Sequence, residues 1–143
     1  MERLVSELGS SVRSAAVRAA EELGQQGWLQ DGSLAGGYFP AANLAGAGLS
    51  GANLKKAQLR AAKLTRANLT RANFEGAYLY MADMEGANLR SAWLQGADLR
   101  SDNLRGADLQ ESNLEEAALV YAHLEGASLG AVHLKRANLF AAH

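Results

Sequence analysis

The chain has 143 residues with 14 basic and 15 acidic side chains, so its formal net charge at pH 7 is −1. It contains no cysteine, which excludes disulfides and thiolate chemistry, and no apolar run long enough to span a membrane. The length predicts one domain with a short appendage. Because the N-terminus lacks the continuous apolar core of a signal peptide, we expect a cytoplasmic protein.

Residues 1–27 are predicted to be helical and to form a unit of their own. Gly9-Ser10-Ser11 is expected to divide the segment, with Ser11 as the N-cap of the second helix and Gly24 as its stop. We expect this amphipathic segment to cap the structure that follows, and the alternative is a dimerisation helix. Its apolar residues recur at three- and four-residue steps and make one stripe, which consists of Leu4, Leu8, Val12, Ala16, Ala19 and Leu23.

Residues 28–143 contain two apolar registers with a period of five. The first runs from Leu34 to Leu139 and has 22 positions, of which 19 are Leu. The second lies two residues earlier in each repeat, from Ala42 to Ala142, and 18 of its 21 positions are Ala. A helix would spread residues of this period around its axis, and a straight strand would send them to alternating faces.

Both registers point inward only if the chain turns a corner in every repeat. Residues 28–143 are therefore predicted to form a solenoid, in which stacked layers of leucine fill the interior and polar residues face outward. Fully burying each of these side chains contributes about 1.5–3 kcal/mol. The expected core positions are Leu54, Leu59, Leu64, Leu69, Phe74, Leu79, Met84, Leu89, Leu94, Leu99, Leu104 and Leu109.

Strings such as Ala52-Asn53-Leu54 and Ala97-Asp98-Leu99 resemble the A(D/N)LXX unit of the pentapeptide-repeat family. The resemblance spans roughly residues 32–143 and favours a bacterial protein. It implies the family's all-β solenoid, a right-handed quadrilateral β-helix with four pentapeptides in each coil. On that count the rod has about five and a half coils and, at about 4.8 Å per coil, a length of about 26 Å.

Charges are distributed unevenly along the predicted rod. A basic run from Lys55 to Arg71 contains no acid, whereas residues 75–125 carry ten acids against three arginines. This pattern is either a solvated surface of complementary pairs or a bipolar surface for a partner. Oppositely charged pairs 20 residues apart fit a coil of four pentapeptides, although a spacing of 25 fits nearly as well. The pairs are Lys55–Glu75, Lys63–Asp83, Glu85–Arg105, Arg105–Glu125, Glu115–Lys135 and Glu116–Arg136.

One outward column of the predicted rod carries aromatic and apolar residues where polar ones are expected. Exposed apolar residues that lie together mark contact surfaces, so we interpret this column as a candidate protein interface. The alternative is a cation–π ladder in which Arg60 and Arg100 stack on Tyr80. The candidate interface consists of Tyr78, Tyr80, Met81, Arg100, Val120, Tyr121 and Phe140.

Two further features break the regular pattern. The final repeat reaches His143 in register and without a cap, so we expect a homodimer through the C-terminal coils. Asp102 occupies an alanine position, where burying an unpaired carboxylate is costly. We expect it to bond to N–H groups of a turn or to shift the backbone locally, and the alternative is a functional site.

No residues are arranged for catalysis or for binding a cofactor. The sequence contains no nucleophile–base arrangement, glycine-rich phosphate loop or acidic metal cluster, and His123, His133 and His143 lack a further ligand. We therefore predict that the protein is not an enzyme and holds no cofactor or metal. The predicted function is a non-catalytic binding or scaffolding rod with an unidentified protein partner.

The family resemblance implies one alternative function. Some pentapeptide-repeat proteins imitate duplex DNA, bind the type II topoisomerase DNA gyrase and protect it from inhibitors. The balanced charge of residues 28–143 argues against that function here, because a DNA mimic should be acidic throughout. We expect no direct binding to nucleic acid, and we expect no membrane binding, because acids outnumber arginines in the N-terminal amphipathic segment.

Overall fold

The computed structural model describes all residues from Met1 to His143. Two helices open the chain, α1 over Glu2–Leu8 and α2 over Arg13–Gln25. After the helices, there are no extended strands, and each repeat contributes one residue to an isolated parallel bridge. Neither helix has the length and apolar character that crossing a bilayer requires.

The two helices pack through an apolar stripe and are joined by ion pairs. The Glu7 carboxylate accepts hydrogen bonds from Arg3 of its own helix (2.7 Å) and from Arg18 of α2 (3.2 Å). Val12, which was predicted to belong to the stripe, is 59% exposed because it lies in the link between the helices. The buried residues of the pair are Leu4, Leu8, Ala16, Ala19, Ala20 and Leu23.

The predicted ends of α2 were wrong by one or two residues. Val12, not Ser11, is the N-cap residue, and the Ser10 hydroxyl accepts the hydrogen bond from the Val12 N–H (3.1 Å). At the other end Gly24 lies inside α2, which continues to Gln25, and the left-handed residue that follows is Gly27, with φ of +72°. Both errors arise because backbone hydrogen bonds, and not residue preferences, determine where the first turn of a helix begins and its last turn ends.

The residues that precede the first complete coil of the rod supply hydrogen-bond partners to it. The Ser10 carbonyl accepts from the Asn43 N–H (2.8 Å), and the Leu29 carbonyl accepts from the Asn53 N–H (2.7 Å). The Arg13 side chain donates to the Ala45 carbonyl (2.8 Å). Backbone groups at this edge of the rod therefore have partners that lie outside the repeats.

The rod is held together by parallel bridges between residues 20 apart, from Tyr38–Gln58 to Ala118–Asn138. In each repeat the leucine N–H donates to the coil that follows, as from Leu44 to the Lys63 carbonyl (2.7 Å). The next coil returns a bond, as from the Lys63 N–H to the Ala42 carbonyl (2.9 Å). The bridges form four columns, so one coil takes four pentapeptides and has four sides.

Every corner of the rod is a hydrogen-bonded turn. The Leu44 carbonyl accepts from the Ala47 N–H (3.0 Å), and this bond recurs from repeat to repeat. The third residue of the turn has positive φ at all 21 positions from 41 to 141, as a type II turn requires. Glycine fills only seven of them, and the other 14 residues adopt φ of +54° to +63°. The fold therefore tolerates left-handed strain at most corners.

Where Asn or Asp precedes the leucine of a repeat, its side chain forms a hydrogen bond to the backbone, although this position faces outward. Its side-chain oxygen accepts from the N–H two residues later, as in Asn73 to Glu75 and Asn113 to Glu115, both at 2.9 Å. Ten Asn or Asp residues of the rod make this bond. This residue type therefore recurs because it satisfies the first N–H of the turn in these ten repeats.

The leucine register forms the core of the rod, but not along its whole length. All twelve expected core positions from Leu54 to Leu109 are 0% exposed. In the final repeats, Leu129 and Leu139 are 38% and 40% exposed, because no further coil stacks on them in this chain. The C-terminal end of the rod therefore presents apolar side chains to solvent.

Only three of the six predicted charge pairs are ion pairs. Their closest distances are 2.9 Å for Lys55–Glu75, 3.1 Å for Arg105–Glu125 and 3.3 Å for Arg136–Glu116. Elsewhere, side-chain amides and hydroxyls compete for the carboxylates. The Asn103 amide donates to both Asp83 (3.0 Å) and Glu85 (3.2 Å).

Candidate interaction surface

The seven residues of the predicted interface lie along one edge of the rod, which we call the aromatic corner. The corner comprises Tyr78, Tyr80, Met81, Arg100, Val120, Tyr121 and Phe140. Backbone bonds stack its turns directly on one another, because the Met81 N–H donates to the Arg100 carbonyl and the Tyr121 N–H to the Phe140 carbonyl, both at 3.1 Å.

Tyr80 lies between two arginines. The guanidinium carbons of Arg60 and Arg100 are 5.6 Å and 5.5 Å from the centre of its ring, within the range of a cation–π contact. Arg100 also donates two hydrogen bonds to Asp98, at 2.7 Å and 2.6 Å. These bonds lower the pKa of Asp98 and raise the pKa of Arg100. The ladder and the apolar patch, considered as alternatives from the sequence, are therefore both present.

The largest exposed apolar side chains of the corner lie on both sides of this ladder. Met81 is 52% exposed, and Tyr121 and Phe140 are 55% and 67% exposed. The rings of Tyr121 and Phe140 meet edge to face, with their centroids 6.1 Å apart. Tyr78 is half-exposed, whereas Tyr80 and Val120 are partly buried. The corner thus offers rigid aromatic surface and cations, and no group placed to act as a nucleophile or base.

Sequence reasoning missed Asp98 as part of the corner. Its signal was available, because an acid two residues before an arginine on an extended segment places both side chains on the same side. Another exposed aromatic ring, Trp93, is 56% exposed on a different side of the rod, where it bridges to Asn73 and Asn113. Trp93 is therefore separate from the aromatic corner.

The family of the chain follows from this repeated geometry and from sequence comparison. The model of the pentapeptide repeats matches eight copies, in overlapping segments from residues 29–60 to residues 103–136. The chain belongs to the pentapeptide-repeat family. Pentapeptide-repeat proteins form right-handed quadrilateral β-helices, in agreement with the four columns of bridges.

Solved pentapeptide-repeat structures resemble this one. A protein from Nostoc PCC 7120 has 32% identity and a TM-score of 0.60, with 83% of this chain and 95% of that chain covered. One from the thylakoid lumen of Arabidopsis thaliana has 32% identity and a TM-score of 0.61, with 63% of each chain covered. This chain therefore spans less than two thirds of the Arabidopsis protein.

A weaker likeness links the chain to an antibiotic-resistance protein of the same fold. QnrB1, a plasmid-mediated fluoroquinolone resistance protein, has 19% identity and a TM-score of 0.49, with 77% of this chain and 68% of that chain covered. At this level the likeness says nothing about what this pentapeptide-repeat chain binds. No curated protein matches the chain.

Asp102 interrupts the alanine register of the pentapeptide-repeat rod just behind the aromatic corner. Its side chain is 0% exposed, and one carboxyl oxygen accepts from the Ala82 N–H of the preceding coil (2.8 Å). The other oxygen is buried without a partner. Burial raises the pKa of this carboxyl well above its usual range, and the negative charge of Asp98 adds to the effect. The expected bond to a turn N–H is thus present for one oxygen only.

The three histidines do not assemble into a metal site. The rings of His123 and His143 stack with centroids 5.7 Å apart, and His123 contacts Arg105 (2.9 Å) and Glu125 (3.3 Å). His133 lies in a different column, where it bridges to Asn113. No group of three or more His, Asp or Glu side chains is placed to hold a metal ion.

Proposed function

We propose that the protein is a non-catalytic binding rod whose aromatic corner contacts another protein. The observation that carries the proposal is the exposure of Met81, Tyr121 and Phe140, each more than half exposed, along one edge. Single exposed apolar residues are common on protein surfaces, but residues that lie together mark contact sites. Tyrosine and arginine are also the residues that most often dominate binding energy at such sites.

The corner is ordered before any partner arrives. The Tyr80 ring is held between Arg60 and Arg100, and Asp98 fixes the guanidinium of Arg100 through two bonds. Binding to an ordered surface loses less side-chain entropy, which favours affinity. This order supports a role for the corner as a preformed platform.

The test is site-specific crosslinking in the native host. A photoreactive amino acid replaces Tyr121 in one variant and Trp93 in the control, because both rings are about half exposed and lie on different sides. We expect one protein to be captured through position 121 and not through position 93. Equal capture at the two positions, or none at either, would refute the proposal.

A gyrase supercoiling assay examines the DNA-mimic alternative. The proposed binding rod should leave supercoiling unchanged at concentrations of tens of micromolar. Inhibition or protection of gyrase at lower concentrations would favour the topoisomerase function instead.

We also propose that two copies associate through their C-terminal coils. The exposure of Leu129 (38%) and Leu139 (40%) supports this, since the same register is fully buried upstream. The expected particle in size-exclusion chromatography with light scattering is about 30 kDa, twice the 15.1 kDa of one chain. The Leu129→Glu variant should be monomeric. A native chain that stays at 15.1 kDa at micromolar concentration contradicts the proposal.

We further propose that residues 1–27 cap a rod of about five and a half coils formed by residues 28–143. The bond from the Asn43 N–H to the Ser10 carbonyl and the bond from the Arg13 side chain to the Ala45 carbonyl support this division, because residues 1–27 thereby contact the first coil directly. Deleting residues 1–27 should lower the thermal midpoint and promote aggregation. An unchanged midpoint would exclude a capping role.

A further inference from the structure

One side of the rod combines aromatic rings with unpaired positive charge. It is formed by residues 36–40, 56–60, 76–80, 96–100, 116–120 and 136–140, and we call it the basic-aromatic side. Both of its acids are occupied, since Asp98 pairs with Arg100 and Glu116 with Arg136. Lys56 and Arg60 are its remaining cations, and neither forms an ion pair.

Aromatic rings lie next to these two cations. Gln58, between Lys56 and Arg60 in the chain, bridges to Tyr38 on one side and to Tyr78 on the other. The two tyrosines are 76% and 50% exposed. Arg60 lies over Tyr80, and Lys56 runs along the adjacent corner, where a Cβ added to Gly76 would be 3.5 Å from its Cγ.

A cleft opens at the N-terminal end of the same side. It has a volume of about 390 Å³ and lies between α1 and the first coil. Met1, Val5 and Phe39 give it apolar walls, and Tyr38 is shared between the cleft and the basic-aromatic side. One ligand can therefore place an apolar side chain in the cleft while it lies across the tyrosines.

We infer that the basic-aromatic side binds a short acidic segment of a partner protein. Carboxylates of the segment pair with Lys56 and Arg60, its chain packs on Tyr38 and Tyr78, and an apolar side chain enters the cleft. This inference rests on the part of the proposed function that makes the protein a protein-binding rod, and it names the chemistry of the partner. It places the charged contacts in the coil that contains residues 56–60, which precedes the coils of Tyr121 and Phe140.

Charge complementarity favours an acidic protein segment over a nucleic acid. A single strand needs cations that follow its backbone from one phosphate to the next. Here both free cations belong to one coil, and the two columns continue with Gly76 and Tyr80. Residues 75–125 carry ten acids against three arginines, which repel a long polyanion. The cleft likewise suits an amino-acid side chain better than a nucleotide, because four of its seven lining residues are hydrophobic and Glu2 among the others repels a phosphate.

The test uses the full chain, labelled with ¹⁵N, and three probes. The first is a synthetic peptide with one leucine followed by a run of glutamates, and the second is the matched peptide with glutamines. The third is an oligo-dT strand. We expect shifts in the amide signals of Gln58 and Tyr78 with the glutamate peptide, about tenfold weaker binding of the glutamine peptide, and loss of affinity with added salt.

Two matched variants test whether the glutamate peptide binds the basic-aromatic side specifically or is attracted to any positive charge on the protein. The test variant carries Lys56→Glu and Arg60→Glu, and the control carries Lys63→Glu and Arg66→Glu, which reverse two unpaired cations of the same coil elsewhere. Lys56 and Arg66 match closely, with φ of +57° and +56°, and each lies against a glycine of the next coil. We expect affinity for the glutamate peptide to fall at least about tenfold in the test variant and less than about twofold in the control.

Several outcomes overturn the inference. These are the absence of peptide binding at millimolar concentration, equal loss in both variants, equal binding of the two peptides, and tighter binding of oligo-dT. Peptide shifts confined to Tyr121 and Phe140 also refute it, although they leave the aromatic corner as a protein contact. Conversely, binding on the basic-aromatic side without crosslinking at position 121 supports the inference and removes the proposed corner contact.

Discussion

Replacing Asp102 by alanine should stabilise the protein, although it removes a hydrogen bond. The buried oxygen without a partner costs about 1–3 kcal/mol, and the bond from the Ala82 N–H returns about 0.5–1.5 kcal/mol. That N–H keeps an acceptor in the variant, because it also donates to the Leu79 carbonyl (2.7 Å). Alanine fills the same slot in 18 repeats, so the layers accommodate it. We expect a net gain of about 1 kcal/mol at pH 7.

The pH dependence of this gain follows from the raised pKa of Asp102. The folded carboxyl keeps its proton at pH values where the unfolded one, with a pKa of about 3.9, has released it. Unfolding therefore releases a proton, and the contribution of Asp102 to stability declines as pH rises above about 4. The advantage of Asp102→Ala should be smallest below that pH and should grow toward neutrality. The other titrating groups are common to both proteins and cancel in the difference.

Urea unfolding followed by far-ultraviolet circular dichroism across this pH range measures the difference. Ser112→Ala is the matched control, because Ser112 is buried in the same register but satisfies its hydroxyl by donating to the Leu109 carbonyl (2.6 Å). Its effect on stability should not vary with pH. If Asp102→Ala is less stable than the native protein at pH 7, or if its effect is independent of pH, the reasoning about the unpaired oxygen is wrong.

Four further substitutions test the packing and the corners. Leu64→Ala should lower the free energy of unfolding by about 2–5 kcal/mol, and Leu129→Ala by clearly less when the protein is monomeric, because only Leu64 is fully buried within one chain; equal losses in urea melts of the monomer would contradict the layered core. Gly96→Ala should destabilise by about 1 kcal/mol through backbone strain alone, since φ is +63° and the added Cβ meets nothing within 4 Å. The reverse change, Met81→Gly at φ of +63°, should stabilise by about 0.5 kcal/mol, and a lower thermal midpoint would show that Met81 makes contacts that compensate its strain.

The interior of the rod could be predicted because the five-residue period of its apolar residues is visible in the sequence itself. Leu54, Leu64 and Leu89 are buried whatever the number of repeats in a coil, because side chains five residues apart can all point inward only if the chain winds around them. The coil size was not decided by charge, because charged side chains are long and exchange partners. Lys63 and Asp83 illustrate this, since Asp83 bonds to Asn103 and Thr65 instead of forming an ion pair with Lys63.

The structural features that could not be predicted from the sequence depend on the positions of individual atoms. The pattern placed Asp102 inside, but only the structure distinguishes the oxygen bonded to Ala82 from the one without a partner. Likewise, the outward column suggested stacking on Tyr80, whereas the two bonds that orient Arg100 come from Asp98, which belongs to a neighbouring column. The predicted ends of α2 were wrong for the same reason, because a single backbone hydrogen bond decides where each end of the helix lies.

The turns give an independent reason to associate the aromatic corner with a partner. Of the 14 non-glycine residues held at positive φ, twelve are Ala, Ser or charged, and only Met81 and Tyr121 are large and apolar. Such a conformation costs an L-residue about 1–2 kcal/mol, which glycine avoids. A charged side chain at such a turn stays hydrated, as its chemistry requires, whereas Met81 and Tyr121 leave apolar surface more than half exposed and gain little burial. Both lie in the same column, two coils apart. Contact with another protein would bury them, and such burial would offset the strain at these two turns.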